Sequence, residues 1–381
     1  MNERERRWRL VLGGAAQEDG DLGGLSPADA AMDAALAALY EPGASGLAGG
    51  PRGGGLEASA PRVARWLGDI RSYFPSSVVR VLQQDAIERL DLRQLLLEPE
   101  VLDAVEPDVH LVATLLALNS VLPEETRATA RLVVRRVVDD LERRLAQHTR
   151  QAVRGAVDRS ARGRRPRHHE IDWDKTVRAN LRHWQPAQRA LIPETLVGYG
   201  RRQQSVPREI VLCVDQSGSM AASVVFAAVF AAVMAGLRAL HTRLVVFDTS
   251  VVDLTEHLYD PVDLLFATQL GGGTDIAQAL AYCQSVVTRP TETVLVLISD
   301  LVEGGSRDDM LRRAAELVAA GVTVVALLAL SYDGAPAYDH ENAAALAALG
   351  IPAFACSPDR FPELMAAAIE RRDLSAWHSA F

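Results

Sequence analysis

The sequence predicts an α/β protein. Its C-terminal part reads as a doubly wound, mostly parallel sheet, and its N-terminal part as a separate all-helical domain. Three observations carry that prediction. Residues 210–214, 293–299 and 322–330 are short, predominantly apolar runs without polar alternation, as expected of parallel strands covered on both faces. Helix-length segments separate these runs, which gives the strand–helix alternation of a layered sheet. Between residues 61 and about 157, apolar positions instead recur every three or four residues, with no alternating strand pattern.

Composition bounds the function. At 381 residues the chain has room for two or three domains, and 49% hydrophobic residues supply sizeable cores. A net charge of −9 argues against a general nucleic-acid binder. Cys213, Cys283 and Cys356 are far apart and lack CxxC spacing, so they read as small buried side chains of a cytoplasmic protein, not as a disulfide framework or a zinc site. The charged first nine residues and the short run 10–16, broken by two glycines, make a poor secretory signal. Residues 221–237 carry Ser223 as their one polar side chain and approach the length of a membrane span. They are mostly alanine and valine and begin directly after a polar loop, so the expectation is a central helix packed on the sheet, with no membrane association.

Taken in order, residues 1–58 hold a helix started by Ser26-Pro27 and then a flexible Gly-rich linker. Residues 59–157 form the all-helical domain. Val78, Val81, Leu82, Ala86 and Leu90 are expected on one helical face, and Val134, Val137, Val138, Leu141 and Leu145 on another. Prolines at 75, 99, 107 and 123 are expected to divide it into several helices of modest length. Residues 158–205 are an Arg-rich connector. The basic run 159–169 has no interleaved aromatic and reads as a solvated linker, while Trp173 and Trp184 suggest that the rest of the connector packs against something. Residues 206–375 form the α/β domain. Residues 243–247 and 251–254 are expected as a hairpin that adds an antiparallel edge strand. Ser306 is expected to cap a helix that Gly321 ends, and residues 351–355 and 361–371 to give the last strand and helix.

The chemistry concentrates where these strands end. Strand 210–214 runs into Asp215, Ser217 and Ser219, oxygen side chains at every second position around a glycine. Ligands of doubly wound sheets bind at such carboxyl ends. The run Gly271-Gly272-Gly273 leads to Thr274, followed by Asp275 as a candidate helix cap, and strand 293–299 ends at Asp300. Asp215, Ser217, Ser219, Thr274 and Asp300 are two carboxylates and three hydroxyls, a donor set for a hard cation such as Mg²⁺ or Mn²⁺. A polar loop without metal would require all three segments to mimic the pattern together. Catalysis finds no footing: Ser217 stands where a phosphoryl-transfer enzyme of the haloacid dehalogenase type needs a second aspartate, His241 and His257 lie outside the loops, and no Gly-Lys-Ser/Thr P-loop occurs.

Asp-x-Ser-x-Ser, then Thr, then Asp, in this order and in these strand and loop contexts, resembles the metal-ion-dependent adhesion site of von Willebrand factor A (VWA) domains. Asp-Trp-Asp-Lys-Thr-Val-Arg-Ala-Asn-Leu ahead of the first strand resembles the region before the A domain in CoxE-like proteins. The resemblance implies a Rossmann-like A domain over 206–375 and a non-enzymatic adaptor. It implies a metal held by those five residues and a position left open for an acidic residue of a protein partner. It also implies work beside a MoxR-type AAA+ ATPase carried on a separate chain. The alternative is an RNA-binding scaffold that uses the helical domain and the Arg-rich connector, since some ring-shaped RNA-binding proteins join a helical domain to an A domain.

Overall fold

The computed structural model describes residues 26–40, 60–89, 96–97, 99–119, 121–162, 171–186, 189–197, 208–268, 271–334 and 337–374. The expected Gly-rich linker, most of the basic run 159–169 and the leading residues lie outside them. The chain separates into two compact units, Met1–Asp140 and Leu141–Phe381.

The described part of the first unit is helical. It holds α1 (Pro27–Tyr40), α2 (Ala60–Tyr73), α3 (Ser76–Arg89), α4 (Pro99–Ala104), α5 (Val109–Ala117) and the start of α6 (Glu124–Arg162). Ser26 Oγ accepts the Asp29 N–H at 3.1 Å and caps α1. The Trp66 indole N–H on α2 donates to the Ala35 carbonyl of α1 at 3.0 Å, so the ring's one polar atom is satisfied inside the core. Two expectations need correction. The buried face of α3 is Val79, Leu82 and Ala86, while Val78 and Val81 are exposed, so the apolar stripe is rotated by about one residue. Helix α6 runs 39 residues, where helices of modest length were expected. No proline or glycine occurs from Glu124 to Arg154, so nothing in the sequence interrupts it. The stripe on α6 is as expected: Val134, Val137, Val138, Leu141 and Leu145 are all buried. The division between the two units falls within this helix.

The second unit begins with the rest of α6, then α7 (Trp173–Ala179) and a two-stranded hairpin, β1 (Trp184–Gln185) and β2 (Ala190–Leu191). The main sheet follows. Its elements are β3 (Arg208–Asp215), α8 (Ala221–Ala235), β4 (Leu240–Phe247), β5 (Val251–Asp253), α9 (Pro261–Ala267), α10 (Ile276–Val286), β6 (Thr293–Ile298), α11 (Arg307–Ala319), β7 (Thr323–Leu330), α12 (His340–Ala348), β8 (Ala353–Cys356) and α13 (Phe361–Glu370). The strand order is β5-β4-β3-β6-β7-β8. All neighbours pair in parallel except β4 and β5, which form the expected antiparallel hairpin at one edge. Every residue of β6 and seven of the eight in β3 are buried, which accounts for their lack of polar alternation.

Helices cover both faces. Val211, Cys213, Val245, Phe247, Leu295 and Leu297 point to the side packed by α10, α11 and α12. Helix α8 packs on β3, β4 and β7, with eleven of its fifteen residues buried, and its Phe230 ring meets Phe361 of α13 at 4.5 Å. Among the described residues, the segment Gly218–Ala235 is long and apolar enough to cross a membrane, but here it is the covered helix of the sheet. The three cysteines are buried and free, as read from the sequence.

The chain leaves β3 towards β4 on one side and returns to place β6 on the other. The connections therefore reverse direction between β3 and β6, which leaves a crevice at their carboxyl ends.

Candidate functional site

Asp215 and Asp300 sit on either side of that crevice. Asp215 is the last residue of β3, and its side chain is 0% exposed. Its Oδ1 accepts the Ser217 N–H at 2.8 Å, which turns the chain sharply out of the strand. Its Oδ2 accepts the Ser299 hydroxyl at 2.8 Å. Ser299 Oγ in turn accepts the Leu301 N–H at 3.0 Å, where Leu301 takes a left-handed φ of 62°. Asp300, two residues beyond β6, accepts the Ser219 hydroxyl on Oδ2 at 2.7 Å and the Val302 N–H on Oδ1 at 3.2 Å. Ser217 Oγ and Ser219 Oγ stand 3.2 Å apart. Four of the five residues singled out from sequence thus form one continuous set of contacts.

Thr274 joins through its backbone. Its carbonyl accepts the Gly304 N–H at 2.8 Å, so the loop before α10 is bonded to the loop after Asp300. The Gly271 N–H donates to the Gln216 carbonyl at 3.0 Å, which ties the same loop to the β3 turn. Gly271 and Gly272 take φ values of 115° and 106°, a conformation that side chains rarely adopt, which explains the glycine run. A Cβ on Gly304 would lie 2.8 Å from the Thr274 carbonyl oxygen, so only glycine permits this approach. Asp275 caps α10, as read from the sequence: its Oδ1 accepts the Gln278 N–H at 2.7 Å.

Sequence reasoning missed two residues here. Ser299 was read only as the end of a strand, yet it links Asp215 to the β6 loop. Glu303 was not singled out at all. Its Oε2 accepts the Ile276 N–H and its Oε1 the Gly305 N–H, both at 2.8 Å, which clamps the start of α10 to the loop after β6. A carboxylate three residues past Asp300 gives no distinctive pattern, so only the contact reveals it.

Burial pushes the Asp215 carboxyl above its usual range. The hydrogen bonds from Ser217 and Ser299 oppose that, and the nearby Asp300 adds to it. Burial likewise raises Glu303, with Asp275 adding to the shift. Two carboxylates facing one crevice favour a positive occupant. The 3₁₀ turn Gly218–Met220 and the start of α8 bring a helix N-terminus to the same place.

The donor set fits a hard cation. Around Mg²⁺, with bonds of about 2.0–2.1 Å, adjacent oxygens of an octahedron lie about 3 Å apart. The Ser219–Asp300 and Ser217–Ser219 oxygen separations, 2.7 Å and 3.2 Å, bracket that value. Among the described residues no three His, Cys, Asp or Glu side chains gather to hold a metal, and the candidate set here has two carboxylates and three hydroxyls. His241 lies at the opposite end of the sheet, near the start of β4, and His257 in a 3₁₀ turn after β5.

The chain is similar to known proteins at three levels. The family model described as "VWA domain containing CoxE-like protein" matches residues 145–365. The Escherichia coli (strain K12) protein named "Uncharacterized protein YehP" is 37% identical over 362 residues, covering 95% of each chain. Among solved structures, an aerotolerance-related membrane protein from Bacteroides fragilis aligns with a TM-score of 0.33 at 14% identity, over 43% of this chain and 99% of that one. A von Willebrand factor type A structure from Catenulispora acidiphila aligns with a TM-score of 0.33 at 13% identity, over 44% of this chain and 42% of that one.

Proposed function

Since the chain belongs to the family of VWA-domain-containing CoxE-like proteins, we propose that it is a metal-dependent protein-interaction adaptor of the cytoplasm. VWA-type domains are generally interaction modules, and the finer reading rests on the crevice between β3 and β6. The observation that carries it is the run of contacts in which Ser217, Ser219 and Asp300 meet through oxygens spaced like the edges of a cation's shell, with Asp215 joined to them through the Ser217 N–H. Asp215, Ser217, Ser219, Thr274 and Asp300 would hold Mg²⁺, or another divalent cation such as Mn²⁺. When bound, the cation supplies a Lewis-acid position that attracts a carboxylate of a protein partner.

The residues of the chain do the rest. Asp215 and Asp300 supply two negative charges, which balance a divalent cation, so a partner's carboxylate would be held by filling a coordination position left open and not by excess positive charge. The hydroxyls of Ser217, Ser219 and Thr274 are neutral donors and add no negative charge to repel it. The N-terminus of α8 adds partial positive charge facing an incoming anion. The partner we propose is a MoxR-type AAA+ ATPase on a separate chain, as the family resemblance implies, with the adaptor coupling ATP-driven remodelling to a protein target. Three buried, free cysteines suit a reducing compartment.

The test is co-purification of that ATPase with the full chain. Wild type should retain it in Mg²⁺ and lose it on chelation, and restored Mg²⁺ should recover binding. Asp215→Ala should lose the ATPase at every Mg²⁺ concentration while keeping its circular dichroism spectrum. An ATPase retained equally by wild type, chelated wild type and Asp215→Ala would place the interaction on another surface.

A further inference from the structure

The segment between α6 and the main sheet is built inside out. In α7 and the turn after it, the buried side chains are polar, Asp172, Thr176 and Asn180, spaced four apart. The neighbouring positions, Trp173, Val177 and Leu181, have the same spacing and are exposed. An amphipathic helix normally buries its apolar stripe and solvates its polar one. Here Thr176 and Asn180 are bonded within the segment. The Thr176 hydroxyl accepts the Val197 N–H at 2.9 Å and donates to the Val197 carbonyl at 3.2 Å. The Asn180 amide donates to the Thr195 carbonyl at 2.7 Å, and its oxygen accepts the N–H groups of Glu194 and Thr195 at 2.9 and 3.0 Å. Those bonds fix the orientation of α7, so the outward face of the apolar stripe is a built property of the segment.

Exposed apolar side chains continue along the chain beyond the helix. Val177 is 42% exposed, Leu181 61%, Trp184 49% and Ile192 60%. Trp184 pairs across the hairpin with Leu191, which brings the two strands' apolar side chains together. A concentration of large apolar side chains of this kind, including a tryptophan, is the composition of an interface centre. Its surroundings are basic. Lys175, Arg178, Arg182 and Arg189 are exposed, against exposed Asp174 and Glu194 and the buried Asp172, a small positive excess on a chain whose net charge is −9. Arg182 lies 3.5 Å from Glu194 and Lys175 3.1 Å from the buried Asp172, and among the described residues Arg178, next to Val177 in sequence, makes no ion pair.

We propose that this face, centred on Val177, Leu181 and Trp184, docks an acidic amphipathic helix of another protein. Apolar side chains of that helix would cover the stripe, and its carboxylates would meet Arg178 and compete with Glu194 for Arg182 across an exposed ion pair. The inference does not depend on metal in the crevice between β3 and β6.

The probe is a labelled synthetic peptide of about 18 residues, five helical turns, with leucines on one face and glutamates flanking them. A second peptide carries lysines in place of the glutamates. Each is titrated with the full chain by fluorescence anisotropy. The glutamate peptide should bind and the lysine peptide should bind more weakly. Leu181→Ser with Trp184→Ala should weaken glutamate-peptide binding by about tenfold or more, with circular dichroism unchanged because both positions are exposed. Arg178→Glu with Arg182→Glu, which leaves every apolar side chain in place, should reverse the preference between the peptides. Equal binding of the two peptides, or none, overturns the proposal. So does a wild-type dimer that the Leu181/Trp184 variant dissociates, which makes a second copy the occupant. Co-sedimentation with anionic lipid vesicles that the same variant abolishes also overturns it, because the face then meets a membrane.

Discussion

The Ser219 hydroxyl reaches Asp300 Oδ2 at 2.7 Å across 81 residues of sequence. That contact closes the crevice between the two central strands and joins a neutral donor to a carboxylate before any partner is present. Removing one side of it has two separable effects. In chelator, Ser219→Ala should lower stability by about 1 kcal/mol, the usual net worth of one hydrogen bond. The Mg²⁺ concentration for half-maximal stabilisation should rise about tenfold or more, because the same atom is a proposed ligand. Thermal melts across a Mg²⁺ titration measure both.

Asp215 gives a pH signature. Burial, with Asp300 adding to it, places its folded-state pKa above the unfolded value. For a carboxyl shifted upwards, the neutral form is the favoured one in the fold. Its contribution to stability is fully present below the ordinary carboxylate value and is lost as pH rises through the raised one. Metal-free wild type should therefore lose stability relative to Asp215→Asn as pH rises above the ordinary aspartate value of about 4. Excess Mg²⁺ should remove the disadvantage for wild type alone. Paired melts of the two proteins in chelator check the slope, and a difference that does not change with pH would contradict it.

Glu303 should matter to the metal without touching it. Glu303→Ala deletes both acceptors that hold Ile276 and Gly305, which leaves the Gly304 N–H to Thr274 carbonyl bond as the remaining backbone tie described between the two loops. Mg²⁺ affinity should fall by about 10- to 100-fold, the usual effect of losing a residue that positions ligands. Glu303→Gln keeps one strong acceptor and should lose less. Hydrogen exchange of the Ile276 amide in metal-free protein should accelerate in the alanine variant, which separates the clamp from the metal reading.

Gly304→Ala places a methyl group 2.8 Å from the Thr274 carbonyl oxygen, so one loop must yield. The cost should be about 1–3 kcal/mol, as for other overpacked sites. Gly218→Ala is the control, because a Cβ there meets nothing within 4 Å and no unusual φ is required. Chemical denaturation of the two variants should separate them clearly.

The loops of the candidate site were legible because each carries its signal locally. Asp215 and Asp300 follow buried apolar strands, and Thr274 follows a glycine run whose positive φ values only that run accommodates. Ser299 and Glu303 were not legible because their roles arise from contacts with Asp215 and Ile276 in other segments, and no spacing rule encodes those. The rotated stripe on α3 has a similar origin. Val78 and Val81 fit a 3.6-residue repeat as well as Val79 does, and the choice between neighbouring registers is made by packing. Helices α9 and α12 and the β1–β2 hairpin are short, and their sequences are too brief to stand out from the loops around them.

Helix α8 has a consequence for the order of synthesis. Its face is covered by β3, β4 and β7, and its Ser223 hydroxyl accepts the N–H of Leu330, 107 residues later. At about 5–20 residues per second, a ribosome finishes β7 several seconds after α8 has been made. During that interval the nascent chain carries a segment as apolar as a membrane span with only part of its cover. A chain stopped before Thr323 keeps α8 but never gains β7, so such fragments should bind chaperones or aggregate where the complete protein does not.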